Sequence, residues 1–195
     1  MERKRFIGLA GTIGVGKTTL ATALATHFDL PVYYEPVKDN PYLDDFYNDI
    51  KKYAFPMQIY LLNSRFRHQQ SVIWSDRGGV QDRTIYEDCI FAKMLYDDGL
   101  IEERDYRTYV NLFDNMNNFI RKPDVIVYLD IPPEEALVRI RVRGRSCESS
   151  ITLEYLQKLH RAYGVFIRDI EKSVRVIKID YREFMSVDDI VQLIG

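Results

Sequence analysis

Cysteine is scarce: the 195 residues carry two, Cys89 and Cys147. That pair gives neither a disulfide framework nor a metal-ligand spacing, and it suits a reducing cytosol. An excess of charge of either sign is also missing. Lys and Arg total 27 against 29 Asp and Glu, a net charge of −2, which excludes a general electrostatic pull toward nucleic acid or an anionic membrane. No apolar run is long enough to span a bilayer. The charged start, Glu2-Arg3-Lys4-Arg5, lacks the apolar core of a signal peptide. Internal repeats, low-complexity tracts and Gly/Ser linkers are absent too. What remains is a cytoplasmic globular chain, by its length one domain over residues 1–195, with no nucleic-acid or membrane partner expected.

What is present centres on Gly11-Thr12-Ile13-Gly14-Val15-Gly16-Lys17-Thr18, which fits G-x-x-x-x-G-K-[ST]. An apolar run, Arg5 to Ala10, precedes it as a buried strand, and Thr19 to Ala25 follows as a helix. Glycines let backbone N–H groups face a triphosphate without Cβ obstruction, and the helix N-terminus adds partial positive charge. Lys17 can reach the β- and γ-phosphates, and the Thr18 hydroxyl can ligate Mg²⁺.

Strands and helices then alternate. Strands are expected at Leu30–Tyr34, at Gly78 to Asp82, at Pro123–Asp130 and at Val174–Ile179. Helices are expected over 40–48, from Phe55 to Ser71 with Pro56 opening it, over 85–96, 102–120, from Pro132 into an arginine-rich segment, over 152–171 and over 187–193. This order implies one α/β domain, a parallel sheet of about five strands with helices on both faces. Ligands of such sheets sit at the carboxyl edge of the strands. That rule gathers the glycine loop, Glu35 and Asp82-Arg83 at one crevice.

A glycine loop of this kind says only that a nucleoside triphosphate binds. Glu35-Pro36, where proline ends strand pairing, puts a carboxylate where it can take the proton of an attacking hydroxyl. Asp82 can hold Mg²⁺ directly or through water, Arg83 can sit between substrate and phosphate, and Thr84 reads as a helix cap. Arg139 and Arg143 lie one helical turn apart, and Gly144 leaves Arg145 on a loop. Such a lid, about residues 141–151, can close over a triphosphate and neutralise charge developing in transfer.

Together these residues resemble the deoxyribonucleoside kinases, P-loop enzymes that phosphorylate the 5′-hydroxyl of a deoxynucleoside. The resemblance spans nearly the whole chain. It rests on the glycine loop, Glu35-Pro36, Tyr47 eleven residues before Gln58, Asp82-Arg83-Thr84, and Arg143-x-Arg145-x-x-Glu148. It implies a P-loop kinase fold with an arginine-rich lid, ATP with Mg²⁺ as donor, and a homodimer. It further implies that Gly11 to Thr19, Arg143 and Arg145 bind ATP and that Thr18 and Asp82 hold the metal. Glu35 becomes the general base, with Arg83, Arg139 and Arg143 catalytic. Tyr47 and Glu148 would take the sugar 3′-hydroxyl, Gln58 the base edge, and Phe91 would stack on the base.

Arg65 and Asp88 resemble the branch accepting deoxyadenosine, deoxyguanosine or deoxycytidine, and the likeness to short bacterial deoxyadenosine/deoxyguanosine kinases puts deoxyadenosine first. Some positions depart from the family pattern. Asp82 stands where glutamate is frequent, Met57 precedes Gln58 where an aromatic is common, Asn40 replaces a common tryptophan, and Cys147 replaces an acidic residue in the lid as neutral filler. Two rivals remain: a nucleoside monophosphate kinase, thymidylate-kinase-like, and a GTP-driven switch. The second is disfavoured because no Asn-Lys-x-Asp segment follows a strand.

Overall fold

The structure, a computed structural model, describes residues 4–35, 40–74, 77–145 and 148–195. Pro36, expected to end strand pairing, and Cys147 of the lid lie outside them. The elements in chain order are β1 (Phe6–Gly11), α1 (Lys17–Phe28), β2 (Val32–Tyr33), α2 (Leu43–Asn48), α3 (Ile50–Trp74), β3 (Gly79–Asp82), α4 (Asp88–Asp97), α5 (Glu103–Asn117), β4 (Val125–Asp130), α6 (Pro133–Arg143), α7 (Leu153–Ile170), β5 (Arg175–Asp180) and α8 (Val187–Ile194). All five strands are parallel, in the order β2-β3-β1-β4-β5. This is the α/β architecture expected from the alternation of elements. Among the described residues no helix is long and apolar enough to cross a membrane.

Successive strand residues point to opposite faces, and both faces are covered. Val125, Val127 and Leu129 of β4 join Ile7 and Leu9 of β1 on one face, against Leu20, Leu24, Ala136, Ile140 and Ile190 from α1, α6 and α8. Ile126 and Tyr128 point the other way, into a cluster with Ile90, Met94, Leu159, Tyr163 and Ile167 from α4 and α7. Burial on both sides is why β4 reads as an unbroken apolar run rather than an alternating one.

Some local expectations shift. Pro56 does not open α3. The helix starts at Ile50 and holds the proline inside it. A proline within a helix costs about 3 kcal/mol. Here Ala54, Gln58, Leu62, Arg65, Gln69 and Val72 fall at helical spacing on one buried face, and that packing outweighs the lost N–H donor. The helix expected over 85–96 begins as a 3₁₀ turn, Ile85–Glu87, before α4. β2 shrinks to two residues, pairing only with β3 at the sheet edge.

β1 lies between β3 and β4, so the loop after β1 opens at the point where successive connections diverge. Gly14 (φ +83°) carries that loop past α6: a Cβ there would lie 2.7 Å from Ile140 Cγ1 and 3.0 Å from the Ala136 carbonyl. Gly16, at φ 106° and ψ 14°, caps α1 in the left-handed region that glycine reaches at little cost.

Candidate active site

A cavity of about 1230 Å³ opens at this edge. It exceeds the roughly 300–1,000 Å³ typical of one small ligand, which leaves room for donor and acceptor together. Its wall includes Ile13, Gly14, Gly16, Lys17, Thr18 and Thr19 from the glycine loop and the helix it opens, together with Glu35, Tyr47, Gln58, Arg65, Asp82, Arg83, Phe91 and Glu148. The carboxyl-edge rule therefore assembles most of the residues singled out from sequence.

At the glycine loop, Lys17 folds back and donates to the carbonyls of Gly11 (2.9 Å) and Thr12 (2.8 Å). Burial, with Arg83 adding to it, lowers its ammonium to about 8 against the pull of Asp82, Glu35 and Glu87. Thr18 donates its hydroxyl to Asp82 Oδ2 at 2.5 Å. The other oxygen of Asp82 is buried without a partner among the described residues. Hard oxygen donors, one of them unsatisfied, fit Mg²⁺.

Glu35 is the hub of the acceptor side. Its Oε1 accepts from Arg65 Nη2 at 2.7 Å and from Arg83 Nε at 3.0 Å. Burial alone would raise its carboxyl, but the charges of Arg83, Arg65 and Lys17 outweigh burial and hold it at about 2. Arg65 also pairs with Asp88 through Nη1. Thus α3 carries one guanidinium that joins the residue expected to read the base to the residue expected to take the proton. Asp88 itself is 1% exposed and lies off the cavity wall, behind Arg65. Burial pushes its carboxyl up to about 7 although Arg65 and Arg83 pull the other way. Its Oδ2 and Gln58 Oε1 are buried acceptors with no partner.

Met57 and Asn40, both departures from the family pattern, meet each other: Asn40 Nδ2 donates to Met57 Sδ at 3.2 Å on the cavity wall. Phe91 lies under the Arg83 guanidinium, 4.9 Å from ring centroid to Cζ. Tyr47 packs edge-on against Phe46.

In the lid, Arg143 Nη2 donates to both oxygens of Glu148 (2.7 and 2.6 Å), and Arg145 Nη1 donates to Oε1 at 3.3 Å. Glu148 therefore holds the two lid arginines at the cavity. Arg139 is placed elsewhere. It pairs with Glu135 and donates to the carbonyls of Val15, Tyr181 and Arg182, off the cavity wall.

Sequence reasoning missed other residues. His68, Asp98 and Tyr155 also line the cavity. Of these, His68 had a usable signal, because it stands one helical turn after Arg65 on the face of α3 that Gln58 and Arg65 share. Glu87, fully buried, binds the Thr84 backbone N–H at 2.8 Å in a capping box. The Thr84-x-x-Glu87 spacing announced that box. Tyr163, which meets Glu87 at 2.6 Å from far along the chain, had no local signal.

A parallel five-stranded sheet with a glycine loop after its first strand, a lysine and a threonine opening the next helix, and an arginine lid defines a P-loop phosphotransferase. The chain belongs to the deoxynucleoside kinase family, whose model, described as Deoxynucleoside kinase, matches residues 7–193. It is 55% identical over 188 residues to a deoxyadenosine kinase of Dictyostelium discoideum, covering 96% of this chain and 77% of that one. It is 38% identical over 192 residues to a deoxyadenosine/deoxycytidine kinase of Bacillus subtilis (strain 168), covering 97% and 88%. The deoxyadenosine kinase from M. mycoides with bound dATP superposes with a TM-score of 0.86 at 30% identity, over 97% of this chain and 98% of that one.

Proposed function

We propose that the protein transfers the γ-phosphate of ATP to the 5′-hydroxyl of a deoxynucleoside and prefers deoxyadenosine. The observation that carries this is the Glu35 carboxylate. Both guanidinium contacts fall on Oε1, and among the described residues no contact falls on Oε2. One oxygen is pinned while the other is left to accept a hydroxyl proton. Lys17 and the glycine-loop amides hold the triphosphate, and Thr18 and Asp82 would hold Mg²⁺. Held there, it would supply positive charge to offset that of the phosphates. Tyr47 and Glu148 orient the sugar. Gln58 Oε1, on the cavity wall, takes a donor from the base, and the adenine amine is such a donor, while Asp88, off that wall, acts through Arg65. Phe91 stacks on the ring. A cytoplasmic homodimer is the form that the family resemblance supports.

A monophosphate acceptor fits less well. Arg65 and Arg83 are already neutralised by Glu35, Asp88 and Glu87, so among the described residues these two offer an acceptor phosphate no spare charge. Incubation with ATP and Mg²⁺ should convert deoxyadenosine to its monophosphate. Phosphorylation of deoxynucleoside monophosphates with none of the nucleosides would overturn the proposal.

The lid gives a second expectation. Arg143 and Arg145 act on charge that develops during transfer, so Arg143→Ala and Arg145→Ala should lower kcat with little change in nucleoside KM. Removing one preorganised donor typically costs about 10²–10³-fold in kcat, and either substitution alone should approach that range. Steady-state kinetics read the split. A rise in nucleoside KM at unchanged kcat would remove the arginines from transfer.

A further inference from the structure

Glu87 lies behind the cavity wall, fully buried, and its carboxylate is saturated. Oε2 accepts from the Gly11 backbone N–H at 3.3 Å, from Arg83 Nη1 at 3.3 Å and from the Tyr163 hydroxyl at 2.6 Å. Oε1 accepts from the Thr84 N–H at 2.8 Å. Tyr163 also meets Arg83 Nη1 directly, and its ring stacks on Tyr128 of β4, 5.9 Å between centroids and 17° between planes. One buried carboxylate and one phenol thereby tie the first glycine of the phosphate loop, the end of β3, and α7 to a single guanidinium.

Arg83 needs such support. Its backbone has φ +70°, a left-handed conformation that a long L side chain adopts only when its surroundings impose it. Its guanidinium is also divided. Nε faces Glu35, and Nη1 faces Glu87 and Tyr163. Nη2 makes no hydrogen bond among the described residues and is not one of the buried unpartnered atoms, while Arg83 lines the cavity.

We infer that Glu87 and Tyr163 are positioning residues for phosphoryl transfer: they fix the Arg83 plane so that Nη2 alone is presented to the oxygen bridging acceptor and γ-phosphate. They also couple that orientation to the glycine loop through Gly11. This deepens the kinase reading proposed above and rests on it. A donor held in place before the reaction costs no reorganisation during it, which is where such contacts gain their effect on rate.

The test is a double-mutant cycle with Arg83, measured as single-turnover phosphorylation of deoxyadenosine with ATP and Mg²⁺. Tyr163→Phe removes one hydroxyl and keeps the stacked ring. Glu87→Gln keeps the size but offers one acceptor oxygen to donors that now share two. Tyr163→Phe is expected to slow transfer several-fold and Glu87→Gln about tenfold to 10²-fold, with the affinities for ATP and deoxyadenosine unchanged. In an Arg83→Ala background Tyr163→Phe should have no further effect, because the group it positions is gone, and Glu87→Gln should lose most of its effect, keeping only what its Gly11 and Thr84 contacts carry. Equal losses with and without Arg83, or Tyr163→Phe turning over like the parent, would overturn the inference. Should Glu87→Gln fail to fold, Tyr163→Phe decides alone. Failure of the kinase reading itself would show separately, as a parent protein that phosphorylates no deoxynucleoside.

Discussion

Glu35→Gln should lower kcat for deoxynucleoside phosphorylation by about 10²–10⁴-fold, the usual contribution of a general base, while leaving the nucleoside KM close to that of the parent. The substitution isolates the proton acceptor. A glutamine can keep its carbonyl oxygen where Oε1 stands and still accept from Arg65 and Arg83, so the wall of the cavity is retained. The pH dependence adds a sharper mark. Arg83, Arg65 and Lys17 hold the Glu35 carboxyl at about 2 despite its burial. A depressed carboxyl is ionised at every pH well above that value, so the deficit of the variant should be the same at about pH 5 as at about pH 7. Rate profiles of parent and variant, measured side by side with nucleoside affinity, check both points. A kcat within twofold of the parent would remove Glu35 from the mechanism.

The second large effect concerns the base. Sites that hydrogen-bond a substrate group can reject an analogue lacking it by roughly 10⁴-fold, and discrimination of deoxyadenosine over thymidine should approach that scale here. Gln58 Oε1 stands on the cavity wall as an acceptor, whereas a thymine carbonyl facing it leaves two acceptors unpaired. Burial pushes Asp88 up to about 7, and the sign follows directly. Below that pH the carboxyl carries a proton, and Arg65 on the cavity wall, with one charged partner fewer, can turn a donor to a carbonyl. Above it the carboxylate holds Arg65. The ratio of kcat/KM for deoxyadenosine to that for thymidine should therefore rise as pH increases through about 7. Replacing both members of the pair, as Arg65→Met with Asp88→Ala, should collapse or invert the ratio. Asp88→Ala alone should be milder. Stranding Arg65 as an unpaired buried charge would cost about 3–5 kcal/mol. In the structure Arg65 keeps Glu35 as a partner, so the cost should fall below that range. Ratios rather than rates are the proper readout, because losing Arg65 also frees Glu35. An unaltered preference in the double variant would show that the pair does not read the base.

The sequence made the sheet and the phosphate loop legible because both are local signals. A continuous apolar run marks β4, and eight adjacent residues, Gly11 to Thr18, mark the loop. Glu35 and Asp82 were legible at one remove, through the rule that strand ends share a crevice. The limits are as physical as the successes. Pro56 looked like a helix start because local propensity knows nothing of the buried face that carries α3 through it. Arg65 looked like half of a base-reading pair, and its second contact with Glu35 depends on how α3 packs beside β2. Arg139 shares a helix face with Arg143 in projection, yet its guanidinium is drawn to the carbonyls of Tyr181 and Arg182, which the chain brings over only after β5. Tyr163 meets Glu87 across 76 residues, and no periodicity announces such a contact.

The most direct test is a comparison of kcat/KM for deoxyadenosine, deoxyguanosine, deoxycytidine and thymidine with ATP and Mg²⁺ at one pH above 7, following monophosphate formation. The expected result is deoxyadenosine first, thymidine last by orders of magnitude, and the other two between. Thymidine phosphorylated as well as deoxyadenosine would contradict the reading of Gln58 as an acceptor for an amine, with Asp88 acting through Arg65.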